Sequence, residues 1–261
     1  MLFRWFENSR VYRPTRKLEV TGAELGRSFE NVFFKTSDDI ELNGWFYPAA
    51  ENSRRSQIAF LNCHGNGGNI GHRLGLYRAL LELGANVFSF DYRGYGLSQG
   101  KPSEEGTYLD VQAAYRWLRE KGFGGKNIVA YGESLGGGIA TELCLREETG
   151  GLILQSTFTN LEKLGAELYP WLPVRWLGTI KYDTLSKLPR LRIPVLVMHS
   201  PEDGLIGFRH SQENFSAANE PKFFCELQGR HNDEAWEAPG FGGAMEEFLK
   251  AVQHPQNAVQ P

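Results

Sequence analysis

Ser134 stands between glycines in Gly132-Glu133-Ser134-Leu135-Gly136, and Gly137 and Gly138 follow at once. The residues before it, "KNIVAYG", have strand composition, and those after it, "LGGGIATELCLRE", have helix composition. A serine on a sharp strand-to-helix turn presents its hydroxyl above the sheet, with the helix N-terminus behind it favouring developing negative charge. Glycine is needed on both sides because strand and helix approach too closely for a side chain. A glycine-rich helix start would explain the same letters, so the serine needs a base and an acid before it is a nucleophile.

Six histidines compete for the role of base. His64 ends an apolar run, His72 and His210 fall in helical stretches, His199 lies inside "PVLVMHS", and His254 is in the C-terminal tail. Only His231 sits on a loop just past the last strand, in "CELQGRHND", and it follows the serine as the order nucleophile, acid, histidine requires. For the acid, "PEDGLIGF" after the preceding strand offers Asp203, with Glu202 as its competitor. Asp233 is too near His231 in sequence to orient the ring easily. Asp203-Gly204 is also a turn signal, and the two readings are compatible.

Backbone donors for a tetrahedral oxyanion are expected from Leu135, next to the nucleophile, and from the loop "HGNGGN". Asn66 is the first candidate there and Gly67 the second. That loop lacks the GxGxxG pattern and the P-loop lysine that would make it a phosphate cradle. The glycine-punctuated stretch from Asp91 to Gly106 reads as a structural loop, with Asp91 and Arg93 in ion pairs or hydrogen bonds.

These residues need a scaffold. Short apolar runs, "QIAFLNCHG", "ANVFSFDYRG", "KNIVAYGES", "GLILQST", "PVLVMHS" and "KFFCELQG", alternate with helix-period stretches over about 71–83, 103–121 and 243–252 and after Ser134. The pattern predicts an α/β fold: a mostly parallel twisted sheet with helices on both faces. "ENVFFKTSDDIELNGWFYPA" adds an antiparallel hairpin turning at Ser37-Asp38-Asp39. Residues 158–192 form a detour too long for an ordinary crossover loop, read as a small helical cap. The expected division is therefore an N-terminal extension (1–29), a core (30–157 and 193–253), the cap inserted at 158–192, and a flexible tail (254–261). Cap residues Leu168, Tyr169, Trp171, Leu172 and Trp176 are expected to form an apolar substrate pocket.

The 261 residues carry a formal net charge of −3, with no concentrated basic face for nucleic acid. Cys63, Cys144 and Cys225 are widely spaced and read as buried thiols of a reducing, cytoplasmic compartment. The first residues have neither the apolar length of a membrane span nor that of a signal peptide. Leu2, Phe3, Trp5 and Phe6 among arginines are read either as a segment packed on the domain or as a weak membrane-surface contact.

In family order, "HGNGGNIGHR", "DYRGYGLSQGKPSEEG", "YGESLGGGIA", "HSPEDGLIGF" and "GRHND" make the chain resemble the α/β hydrolases of the bud-emergence-like and serine-aminopeptidase-like groups, from about residue 30 to 253. The resemblance implies a Ser134-Asp203-His231 triad, oxyanion donors at Asn66 and Leu135, and a small variable cap. The expected activity is a serine hydrolase acting on a small or medium ester or thioester, with no metal or organic cofactor. Two rivals stand beside it. An aminopeptidase would need an acidic clamp for a free amine, for which Glu162 and Glu167 are candidates. A catalytically silent binding protein would keep the fold without turnover.

Overall fold

The computed structural model describes residues 2–254; the side chains of residues 2–5 and of Arg175 lie outside that description, as does the tail from 255 on. The expectation for Leu2, Phe3 and Trp5 therefore falls outside it. Eight strands form the central sheet: β1 (Glu30–Lys35), β2 (Glu41–Tyr47), β3 (Ala59–Cys63), β4 (Asn86–Phe90), β5 (Ile128–Glu133), β6 (Gly151–Gln155), β7 (Val195–His199) and β8 (Lys222–Glu226). Their order in space is β8-β7-β6-β5-β3-β4-β2-β1. All neighbours from β8 to β4 run parallel, and β2 and β1 are antiparallel at one edge. The hairpin and the parallel runs thus fall where the apolar pattern placed them. Alternate residues of β3 face opposite layers, Leu61 and Cys63 into one core cluster and Phe60 into the other. Burial on both faces is why these strands read as unbroken apolar runs.

Helices cover both faces. They are α1 (Leu2–Val11), α2 (Leu74–Glu82), α3 (Glu104–Glu120), α4 (Leu135–Arg146), α5 (Leu161–Leu168), α6 (Val174–Leu177), α7 (Arg209–Ala217) and α8 (Phe241–Gln253). Ser103 caps α3, its hydroxyl accepting from the Gly106 N–H at 3.1 Å, with Glu104 and Glu105 in the first turn. The detour after β6 carries α5, capped by Asn160, and the single turn of α6 beyond Pro170 and Pro173. All three cysteines are buried and free. No helix among the described residues is long and apolar enough to cross a membrane.

The segment before β1 is tied into the molecule. Val11 and Tyr12 are buried in the core, and the Tyr12 hydroxyl lies 2.9 Å from that of Tyr182. The Glu7 carboxylate accepts from the N–H groups of Thr179 and Ile180 and from the Thr179 hydroxyl, which fastens α1 to the chain leaving α6. Arg13 and Pro14 then form a short parallel bridge with Gly67 and Gly68.

The strictest local requirement lies between β5 and α4. A methyl group on Gly136 would fall on the Cys63 carbonyl oxygen, and one on Gly132 would meet the Gly136 carbonyl and the Gly137 backbone at 2.5 Å. Both obstacles are backbone, so neither can step aside. Gly136→Ala is expected to lower stability by about 3 kcal/mol, the upper end of typical overpacking costs, read as a lower urea midpoint. The same change at Gly243, in α8 with nothing within 4 Å, should instead raise the midpoint slightly, by up to about 1 kcal/mol of helix propensity.

Candidate active site

Ser134 sits between β5 and α4 with φ 53° and ψ −115°, a conformation that L-residues rarely adopt. Such a residue stores roughly 1–3 kcal/mol and persists only where its surroundings hold it. Here the Ser134 N–H donates to the Gln155 carbonyl at 2.9 Å, and its carbonyl accepts from the Thr157 hydroxyl at 2.6 Å and the Gly137 N–H at 3.0 Å. These bonds turn the side chain away from the sheet.

His231 reaches that side chain from the loop after β8. Its Nε2 is 3.1 Å from Ser134 Oγ, and its Nδ1 is 2.6 Å from Asp203 Oδ2. A carboxylate oxygen only accepts, so Nδ1 carries the proton and Nε2 is left to accept from the serine. Asp203 comes from the turn after β7, where its Oδ1 accepts from the Leu205 and Ile206 N–H groups, both at 2.9 Å. Burial pushes the Asp203 carboxyl upward. Hydrogen bonds from His199, His231 and the Ile206 N–H outweigh it and hold the group well below the ordinary carboxylate range. Glu202 is exposed and makes no such contact, and the Asp233 carboxylate accepts from the Arg230 N–H at 2.7 Å, bracing the His231 loop.

Asn66 and Leu135 both face the cavity above Ser134. Neither N–H has a hydrogen-bond partner among the described residues. The peptides around Asn66 are fixed from behind. His64 Nδ1 donates to the Gly65 carbonyl at 2.7 Å and so orients the peptide that carries the Asn66 N–H. The Asn66 carbonyl in turn accepts from the Arg13 N–H at 3.0 Å and the Tyr95 hydroxyl at 2.9 Å. Burial raises the Tyr95 phenol well above its usual range, so it stays protonated and able to donate.

Two further residues lie directly behind the site with little sign of it in their sequence context. His64 is wholly buried, with its Nε2 3.4 Å from Asp91 Oδ1 and its ring against Tyr92. His199, also wholly buried, places Nε2 3.1 Å from Asp203 Oδ2 and 2.9 Å from the Ile206 carbonyl. Their signal was position: each lies at the carboxyl end of a parallel strand, where a site forms in such sheets.

The cavity over Ser134, about 260 Å³, is mostly apolar. Leu168, Tyr169 and Leu172 of the cap line it, as does Phe6 of α1. Trp171 and Trp176 do not. They are 74% and 88% exposed and lie on the outer side of the cap. The expected substrate role of these two indoles is corrected accordingly. Leu164, Leu161 and Phe158 stand in their place on the wall. Glu162 and Glu167 line neither this cavity nor its neighbour, and Glu167 pairs with His210 at 2.9 Å.

A model of the α/β-hydrolase fold family matches residues 58–178. An uncharacterised protein of Mycobacterium tuberculosis is 35% identical over 236 residues, which are 89% of this chain and 83% of that one. The bem46 protein of Schizosaccharomyces pombe is 33% identical over 209 residues, 77% of this chain and 67% of its own. Among solved structures, a Pyrococcus furiosus esterase superimposes with a TM-score of 0.76 at 21% identity, over 94% of this chain and 98% of that one.

The choice of acid is testable without a substrate. Asp203→Asn removes the charge that fixes the His231 tautomer and should slow covalent labelling of Ser134 by a fluorophosphonate at least about 100-fold. Glu202→Gln should label at the wild-type rate. Equal rates for the two variants would remove Asp203 from the site.

Proposed function

The chain belongs to the α/β-hydrolase fold family, with the bud-emergence-like proteins, and on that premise we propose that it is a serine hydrolase cleaving carboxylic esters or thioesters through Ser134, His231 and Asp203. The observation that carries this reading is the continuous series Ser134 Oγ, His231 Nε2, His231 Nδ1, Asp203 Oδ2, with its serine end at the floor of an apolar cavity. That the P. furiosus neighbour is called an esterase agrees with it, at the level of fold.

Ser134 Oγ attacks the acyl carbon while its proton passes to His231 Nε2. The carbonyl electron pair moves onto oxygen, where the Leu135 and Asn66 N–H groups receive it. Collapse breaks the bond to the leaving alcohol or thiol, which departs with the proton from His231. Water repeats the sequence: it gives a proton to His231, adds to the acyl carbon, and Ser134 leaves as the hydroxyl with the acid as product. Asp203 stays ionised throughout and stabilises the imidazolium. The helix dipole of α4 points its positive end at the same oxygen. The apolar wall from Phe158 to Leu172 suits an acyl group.

Hydrolysis of p-nitrophenyl esters of increasing acyl length tests the reading directly. Wild type is expected to turn over, with an optimum chain length set by the cavity, and Ser134→Ala to fall to background; turnover surviving in Ser134→Ala would end the proposal. Because the Asp203 carboxyl is held low, it does not titrate in the working range. The acid limb of kcat/KM should therefore fall with no proton taken up by Asp203; a two-proton limb that became a one-proton limb in Asp203→Asn would contradict the assignment. Tyr95→Phe removes one of two donors on the Asn66 carbonyl and should lower kcat roughly fivefold, the kinetic equivalent of one hydrogen bond of about 1 kcal/mol, with KM little changed.

A further inference from the structure

A second cavity, about 480 Å³, opens on the other side of Ser134 and His231. The two share Ser134, His231, Asn66, Asn232 and Arg13, and so meet at the reacting bond. Their chemistry differs. Where the first is walled by leucines and aromatics, the second is walled by His72, Arg73, Glu133, Gln155 and Asp233. An acyl chain laid along the first leaves the second for the alcohol side of the ester.

The charges of this second chamber are mostly spoken for. Arg73 is paired with Glu133 at 3.3 Å, and burial of Glu133 is outweighed by that guanidinium, which holds its carboxyl below the ordinary range. Asp233 accepts from the Arg230 N–H, and Asp203 is taken up by His231 and His199. Across the threshold, Glu7 is turned to the Thr179 and Ile180 N–H groups. Arg10, on the wall of the first cavity alone, lies over the Phe6 ring; on the wall of the second chamber Arg13 remains, a guanidinium with no carboxylate partner among the described residues. Its residue is exposed, but its backbone is fixed. Its N–H is bonded to the Asn66 carbonyl and its residue pairs with Gly67, so the root of the side chain is fixed beside the oxyanion donor, on the boundary of both chambers.

We infer that the alcohol part of the ester carries an anionic group, a phosphate or a carboxylate, and that Arg13 binds it; this rests on the serine-hydrolase reading. The guanidinium presents a planar fork of donors suited to either oxyanion. Asn232 and His72 lie on the same wall to complete its hydrogen bonding. Arg13 is thus a specificity-determining residue through its side chain and a positioning residue through its backbone, the two roles separable because a substitution keeps the N–H.

The test compares octanoyl esters of three alcohols: glycerol, glycerol 3-phosphate and lactate. For wild type, kcat/KM of the phosphate or the carboxylate ester should exceed that of the glycerol ester by roughly tenfold or more, the range of one charge-assisted hydrogen bond. Whichever anion is preferred identifies the group. Arg13→Gln should reduce that ratio by about the same factor, chiefly through KM, and Arg13→Lys should restore part of it. A glycerol ester cleaved as well as both anionic ones, or a ratio unmoved by Arg13→Gln, overturns the inference. Fluorophosphonate labelling of Ser134 in each protein keeps the two readings apart: labelling with no anion preference removes this inference alone, whereas wild type that resists labelling and cleaves none of the esters removes both.

Discussion

The contact between the Gly136 backbone and the Cys63 carbonyl is the dimension from which the site is laid out. It sets how near α4 comes to β3, and so how near Ser134 comes to the loop bearing Asn66. A side chain at Gly136 would push Ser134 and the Leu135 N–H away from Asn66. The strained backbone of Ser134 follows from the same closeness, since only a turn of positive φ can send the chain from β5 into α4 within one residue. The bonds from Thr157 and to Gln155 hold it there, so the strain is carried by the carboxyl end of β6 rather than by the helix.

The second proposed oxyanion donor, Asn66, rests on a different support. Asn66 lies in a glycine-rich loop whose own sequence does not fix a conformation. Its rigidity is borrowed from Tyr95 on a later loop, from His64 beneath it and from Arg13 in the N-terminal segment. Residues before β1 therefore belong to the site in two ways. Phe6 and Val11 close the apolar wall, and Arg13 holds the loop in register with Gly67. Segments read as an extension in front of a core turn out to be bound to the cap by Glu7 and to α3 by the chain of hydroxyls Tyr12, Tyr182 and Thr107.

Legibility in the sequence followed the range of the interaction. The elbow was readable because its glycines are neighbours of Ser134 and answer a local steric demand. The parallel strands were readable because burial on both faces leaves an unbroken apolar run. Cap helix α5 announced itself by the spacing of Leu161, Leu164 and Leu168. The bridge from Arg13 to Asn66 left no trace, because it is made by backbone groups that every residue but proline possesses. Trp171 and Trp176 misled for the opposite reason: large aromatic side chains suggest burial, but which side of a short cap they face is set by tertiary geometry that composition does not encode.

The proposed base illustrates how a fold selects among equal side chains. Each buried histidine has its proton assigned by neighbours that can only accept or only donate. His64 gives Nδ1–H to a carbonyl and keeps Nε2 against Asp91, sealed between Tyr92 and Tyr95. His199 spends Nε2–H on Asp203 and the Ile206 carbonyl, and its Nδ1 is buried with no partner among the described residues. His210 accepts at Nδ1 from the Thr159 N–H and donates from Nε2 to Glu167, with burial pushing its pKa down. In all three the ring serves a backbone or a carboxylate. His231 has one nitrogen fixed by Asp203 and the other turned to a hydroxyl at the meeting of two cavities. An imidazole can carry a proton from one substrate atom to another only when one nitrogen is anchored and the other opens onto a space a substrate can enter; the unpartnered Nδ1 of His199 is sealed in the core, and among these rings the condition is met at His231.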